Sequence, residues 1–353
     1  MVPQADDSGT RFRLAIIGHG MWPSTYYVPG AERLRDVELV AMCGRDAQRA
    51  SAFAAAHGIP RSYDKVERML AAEDLDGVII ANRPGDHEAA VRTVSHSRAA
   101  VLCEKPLALD GDGARRIRDL LADRPALTGF TLRWHPLFRE LHSVISARIV
   151  GRVRHVRIRY LQSSAATQTR GWDWRFDADD EPLGVVSDLG PHAIDLVRWM
   201  LGDVAQVTAF ARTTIPERAD HTGVLRPVTN HDDADVHLAA DSGATASLTI
   251  SRVSPDIGVP GSIAVEVLAD EGWIRVDSNE PDVVIGTASG TQRRPVPVTS
   301  FLDGADAQIS DFVRASRGEL RKARPSIDDG YRAQLVMDAI AQSLERCQTV
   351  TLS

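Results

Sequence analysis

Short apolar runs alternate with amphipathic stretches through the first 130 residues, and this alternation constrains the fold more than any other feature. Arg13 to Ile17, Val37 to Cys43, Gly77 to Ala81, Ala100 to Cys103 and Ala126 to Phe130 read as buried strands. Between them, Ala47 to His57, Lys65 to Ala72, His87 to Ser97 and Gly113 to Ala122 carry helical spacing. Strands joined by helices of this length make right-handed crossovers and a parallel sheet. The pattern changes near residue 150, where Val153 to Leu161 alternates apolar and charged residues as a half-buried strand does. A loop rich in Trp, Arg and Asp leads to a helix, about Ser187 to Leu201, ended by Gly202. Strand-like runs then extend from Gln206 to about Ile285, and helices near Asp306 to Arg317 and Asp329 to Arg346 follow. The expected architecture is an α/β Rossmann domain over 11–131 and an α+β domain over 132–353, the latter built on an open, mostly antiparallel sheet with helices on one face. The C-terminal helices are free to pack back on the first domain.

A chain of 353 residues suits two domains. Its net charge of −7 argues against nucleic acid or an anionic membrane as partner, and no apolar run reaches the length of a membrane span. Met1 to Thr10 is polar and acidic and reads as a frayed tail without a signal core. Cys43, Cys103 and Cys347 have the spacing of neither a zinc site nor a disulfide framework. These features together place the protein in the cytoplasm. The basic run Arg317 to Arg324 reads as a solvated helix end.

The first strand runs into Gly18-His19-Gly20-Met21-Trp22-Pro23. Two glycines in this spacing after a strand fit a dinucleotide turn. The first makes the bend, the second lets backbone approach a pyrophosphate, and the following helix offers its N–H groups. Pro23 replaces the third glycine, a position in the first helical turn where proline is tolerated. The second strand ends Cys43-Gly44-Arg45-Asp46. Enzymes that use NAD usually carry an acid at the position of Gly44; its absence, with Arg45 next to it, favours a 2′-phosphate and hence NADP. Asp46 reads as a helix cap but could reach a ribose, which keeps NAD open.

Two further segments complete the pattern: Cys103-Glu104-Lys105-Pro106 after a strand, and Asp188-Leu189-Gly190-Pro191-His192-Ala193-Ile194-Asp195 opening a helix. With the glycine turn and Ile80-Ala81-Asn82-Arg83-Pro84-Gly85-Asp86-His87, they resemble the glucose–fructose oxidoreductase / inositol dehydrogenase / rhizopine-catabolism (Gfo/Idh/MocA) family from about Arg11 onward. Pro23 and the glycine-poor run Leu183-Gly184-Val185-Val186 depart from the family pattern. The resemblance implies a catalytic trio of Lys105, Asp188 and His192. The residue types agree: an ammonium at a strand end can stabilise charge on a substrate oxygen, and a histidine beside a carboxylate can exchange a proton with an alcohol. Spacing of four places Asp188 and His192 on one helical face. The expected cofactor contacts are Gly18, Gly20, Met21, Trp22, Gly44, Arg45, Asn82, Arg83, Pro84, His87, Glu104, Lys105, Trp174 and Arg175. Lys105, Arg133, Trp134, Trp172, Asp188 and His192 are the expected substrate contacts.

The leading expectation is hydride exchange between NADP(H) and a secondary alcohol or ketone of a sugar, cyclitol or sugar derivative. A nicotinamide-assisted lyase or glycosidase is a second reading, and a non-catalytic NADP sensor a third. His231, Asp232, Asp233, Asp235 and His237 look like metal ligands, but hydride transfer needs no metal and charged strands are common at sheet surfaces. A broad apolar face is expected on the second sheet, which a partner subunit would cover in a homodimer or homotetramer.

Overall fold

The computed structural model describes residues 11–167, 169–255, 261–320 and 324–352. The polar N-terminal tail and the centre of the basic run, 321–323, lie outside the described residues. The chain divides into two compact units, one made of 1–104, 116–129 and 304–327, the other of 105–115, 130–303 and 328–353.

The first unit is a six-stranded parallel sheet in the order β3-β2-β1-β4-β5-β6. Its strands are β1 (Phe12–Ile17), β2 (Val37–Cys43), β3 (Arg61–Tyr63), β4 (Gly77–Ile80), β5 (Ala100–Cys103) and β6 (Ala126–Thr128). Strand order reverses beside β1, which is where sheets of this kind bind ligands at the carboxyl ends of their strands. All four residues of both β4 and β5 are buried, as in a sheet covered on both faces. The short strand β3, Arg-Ser-Tyr, carries no apolar run and so no sequence signal of a buried strand. The helix Ala305–Ser316 belongs to this unit and places Phe312 edge-on to Phe12 at 6.0 Å.

The second unit holds a nine-stranded sheet, β16-β15-β14-β13-β7-β12-β11-β8-β17, and a separate hairpin of β9 and β10. The strands run β7 (Val153–Gln162), β8 (Val204–Arg212), β9 (Glu217–Ala219), β10 (Leu225–Pro227), β11 (Asp233–Ala240) and β12 (Thr245–Ser251). They continue as β13 (Gly261–Ala269), β14 (Gly272–Asp277), β15 (Asp282–Thr287), β16 (Gly290–Pro295) and β17 (Val350–Thr351). Every pairing in the large sheet is antiparallel except β7 with β12. Val156, Ile158 and Tyr160 point to one side of β7 and join a core with Leu141, Ile194 and Val336 from three helices.

The opposite face is not the apolar surface expected from the sequence. Side chains two apart share a face, so the residues between those core positions, Arg157 and Arg159, point outward. They lie exposed with Asp235 and Arg275, and Glu266 accepts from both Arg157 and Arg275 at 2.8 Å. An uncovered apolar sheet is therefore no ground for expecting association. Among the described residues no helix is long and apolar enough to cross a membrane.

The expected helix Ser187 to Leu201 is two helices, Val185–Asp188 and Gly190–Leu201, joined at Leu189. Pro191 stands in the first turn of the second and has no N–H with which to continue the ladder of the first. The second helix is fixed by buried charge. Arg133 Nε and a terminal nitrogen donate to Asp195 at 2.8 and 2.6 Å, and Asp329 lies 3.5 Å from the same guanidinium. Removing one member of a buried pair strands the other. Asp195→Ala is expected to cost about 3–5 kcal/mol of stability, read from urea unfolding at unchanged denaturant slope.

Candidate active site

The nucleotide half lies in the first unit. Gly18 leaves β1 at φ 116°, and a Cβ there would sit 2.4 Å from the carbonyl oxygen of Ala81. Glycine is required at this position by both conformation and space. At Gly20 no atom lies within 4 Å of where a Cβ would be, so the backbone is open on that side. The chain then turns through a π-helical segment, Pro23–Tyr27, before the short helix Val28–Glu32. Met21 is exposed. The Trp22 indole N–H donates to Glu104 Oε1 at 3.0 Å, and the Tyr27 hydroxyl donates to the same oxygen at 2.5 Å. Glu104, expected among the cofactor contacts, is buried and ties the turn to the end of β5.

At the end of β2, a Cβ on Gly44 would meet the His19 ring at 2.4 Å. A side chain at this position would require the His19 ring to move. Arg45 is exposed and paired with Asp86, its terminal nitrogens 3.3 and 3.2 Å from the two carboxylate oxygens. Asp46 caps the helix Ala47–Ala56 by accepting from the N–H groups of Gln48 and Arg49, both at 3.0 Å. Those backbone donors, that of Arg49 foremost, hold its carboxyl below the usual range. Arg83 and Pro84 start the helix Pro84–Val94, and the His87 ring, fully buried, contacts the Asn82 carbonyl through Nε2 at 3.2 Å. Asn82 Oδ1 is buried with no hydrogen-bond partner. An orphaned acceptor beside an open glycine turn is the arrangement a bound dinucleotide would complete, so these residues fit the group.

Lys105, Asp188 and His192, the expected catalytic trio, all lie in the second unit. The Lys105–Pro106 peptide is cis. Lys105 Nζ donates to the backbone carbonyl of Asp188 at 2.8 Å and lies 3.8 Å from its Oδ1. His192 sits in the first turn of Gly190–Leu201, buried, with Nδ1 lacking a partner and its ring edge-on to Phe130 at 6.4 Å. Burial first, then the Lys105 charge, push its pKa well below the ordinary histidine value. The imidazole is therefore neutral at physiological pH.

The remaining expected contacts are more dispersed. Arg133 and Trp134 are both buried, and the Arg133 guanidinium is committed to Asp195. Trp172 donates its indole N–H to the Pro227 carbonyl at 3.0 Å, with Arg226 5.2 Å above its ring. Trp174 opens a single 3₁₀ turn capped by Asp173, and Arg175 lies 4.5 Å over its ring. Two residues absent from the sequence-based set feel the charge of Asp188. Burial and the Asp188 charge raise the Tyr160 hydroxyl, and the same two causes push the buried Glu181 carboxyl up to about 8. Neither carries a motif: Tyr160 is one of several inward β7 residues, and Glu181 follows three other acids within five positions.

The three acids among the candidate metal ligands are otherwise engaged. Asp232 accepts from the N–H groups of Thr214 and Ile215 at 2.7 and 3.0 Å, Asp233 pairs with Arg212 at 3.1 Å, and Asp235 takes the Thr249 hydroxyl at 2.8 Å. Among the described residues no group of His, Cys, Asp and Glu is placed to hold a metal ion.

Residues 12–129 match the model of the oxidoreductase family with an NAD-binding Rossmann fold, and residues 138–275 match that of the GFO/IDH/MocA C-terminal domain. The chain belongs to the Gfo/Idh/MocA oxidoreductase family. It is 27% identical over 340 residues to an inositol 2-dehydrogenase of Acidothermus cellulolyticus, covering 94% of this chain and 92% of that one. It is 28% identical over 326 residues to a D-xylose 1-dehydrogenase (NADP(+)) of Haloferax volcanii, covering 89% and 92%. A levoglucosan dehydrogenase structure in complex with NADH and L-sorbose has the same fold, with a TM-score of 0.90 at 22% identity over 97% of this chain and 99% of that one.

For this Gfo/Idh/MocA oxidoreductase, Gly18→Ala tests the turn directly. The added methyl must push against a backbone carbonyl at a φ that costs about 1–3 kcal/mol for a residue with a side chain. Thermal unfolding should show at least that loss, and dinucleotide titration should show weaker binding.

Proposed function

We propose that this protein transfers hydride reversibly between NADP(H) and a secondary alcohol or ketone of a sugar, cyclitol or sugar derivative. The observation that carries the reading is a lysine ammonium held 2.8 Å from a backbone carbonyl, beside a carboxylate, together with a buried imidazole that burial first, and then the charge of that lysine, keep neutral. The names of the dehydrogenase relatives support the substrate class, acting as they do on inositol and D-xylose. When bound, the nicotinamide supplies or accepts the hydride.

The chain's own residues do the rest. Lys105 donates to the substrate oxygen and stabilises the negative charge that develops there. Neutral His192 takes the hydroxyl proton when an alcohol is oxidised and returns it when a ketone is reduced. Burial and the lysine charge, which keep His192 neutral at rest, also make the proton easy to release. Asp188 balances the lysine charge with its side chain and aims the lysine with its carbonyl. Trp172, Trp174 and Arg175 offer flat faces to a sugar or a nicotinamide. Gly18, Gly20 and Asn82 would hold the dinucleotide, and Arg45 would take the 2′-phosphate in place of Asp86.

Lys105→Met keeps the apolar stem and removes the charge. Turnover on a reactive polyol, followed by nicotinamide absorbance, is expected to fall about a hundredfold or more, with dinucleotide binding retained. Near-normal turnover would remove Lys105 from the mechanism. For the cofactor, Arg45→Ala should weaken NADP binding by about tenfold, the value of one exposed charge-assisted contact, and leave NAD nearly unchanged. Wild-type protein that binds NAD as tightly as NADP would overturn the preference.

A further inference from the structure

Glu181 is the last of the acids in Asp177-Ala178-Asp179-Asp180-Glu181, and the one that turns inward. It is 4% exposed, whereas the other three keep contact with solvent. Its backbone has little latitude. The Glu181 carbonyl accepts from Asn230 Nδ2 and from the Gly184 N–H, both at 2.9 Å, and its own N–H donates to Asp177 at 2.8 Å. The Gly184 carbonyl in turn accepts from the Asp188 N–H at 3.1 Å. Gly184 holds φ 55° against His231, where a Cβ would fall 2.1 Å from the His231 carbonyl oxygen. Arg252 locks the far side by donating to Asn230 Oδ1 at 2.8 Å and to the Arg175 carbonyl at 2.9 Å.

The side chain therefore enters the interior by construction. Oε2 is buried without a hydrogen-bond partner. Charges from four segments act on the carboxyl: Asp188 from the helix before Leu189, Lys105 just after β5, Arg252 just after β12, and Arg175 from the Trp174 turn. An ionised carboxylate with an unsatisfied buried oxygen costs far more than the neutral carboxylic acid in the same place.

We propose that Glu181 is a positioning residue that stands as a neutral carboxylic acid beside the Lys105–Asp188 pair, and that its ionisation in alkaline solution lowers turnover by adding a second carboxylate that competes for the lysine. The proposal rests on the catalytic reading of Lys105. Burial first, then Asp188, push the acid up to about 8, against the pull of Lys105, Arg252 and Arg175. Below that pH, Asp188 faces the lysine without a second anion next to it. Above it, the ammonium is shared between two carboxylates and donates less to a substrate oxygen.

Three measurements test this. In wild-type protein labelled with ¹³C at the glutamate carboxyl, one signal should titrate near pH 8. In Lys105→Met, which removes a cation that lowers this acid, the same signal should move to higher pH whether or not the variant turns over. The pH profile of wild-type kcat should have an alkaline limb near 8 that Glu181→Gln removes, Glu181→Asp retains in displaced form, and KM does not share. Stability carries the same signature. An acid whose folded value is raised stabilises fully below its unfolded value of 4.5, and that contribution is lost as pH rises toward about 8. The unfolding midpoint of Glu181→Gln should therefore fall less than that of wild type across this interval. The absence of a glutamate titrating near 8, or an unchanged alkaline limb in Glu181→Gln, would overturn the proposal. If Lys105→Met is fully active while the titrating signal persists, the catalytic reading fails and the neutral acid stands.

Discussion

The buried pairing of Arg133 with Asp195 fixes the helix of the second unit that carries His192. Asp195 lies one helical turn beyond His192, so the two-pronged grip of Arg133 sets the rotation of the helix that carries the imidazole. Arg198 extends the network, donating to the Asp329 carbonyl at 3.0 Å and to Asp203 at 2.7 Å. Two arginines and three acids thus pin one helix from both sides in a region otherwise filled by Leu, Ile and Val. Apolar contacts alone would fill the space but leave the helix freer to rotate, because hydrophobic contact has no direction.

A comparable economy appears in the first unit. One carboxylate oxygen of Glu104 takes hydrogen bonds from both Trp22 and Tyr27, and a Cβ on Gly129 would lie 2.6 Å from that oxygen. The turn after β1 lacks the third glycine of the dinucleotide fingerprint and follows a π-helical path after Pro23. Its aromatic side chains are held by a residue about eighty positions away, at the end of β5. Glu104 is thereby occupied with holding the turn, and its sequence neighbour Lys105 belongs to the other unit.

The parallel sheet was legible because buried strands must be apolar and their helices must repeat with helical period. Lys105, Asp188 and His192 stand out in the sequence because each sits in a short motif. The break at Leu189 was also written in the chain, in a proline two residues on, though the apolar periodicity runs across it. The outward sheet face was misjudged as apolar, although the alternation around Arg157 and Arg159 predicts a polar one. What the sequence hides is long-range burial of charge. Arg133 looks like any surface arginine until Asp195, sixty-two positions away, is folded against it. Glu181 is indistinguishable from Asp179 and Asp180 until Asn230 and Gly184 fix the backbone that turns it inward.

Lys105 is oriented by a backbone carbonyl, with the Asp188 carboxylate farther off. A carbonyl is supplied by whatever residue stands at a position, so the anchor survives changes of side chain that the local fold tolerates. Direction and charge at the lysine are consequently separate variables, one written in the main chain and the other in a replaceable side chain. The charge around this ammonium can be retuned through position 188 without re-aiming it.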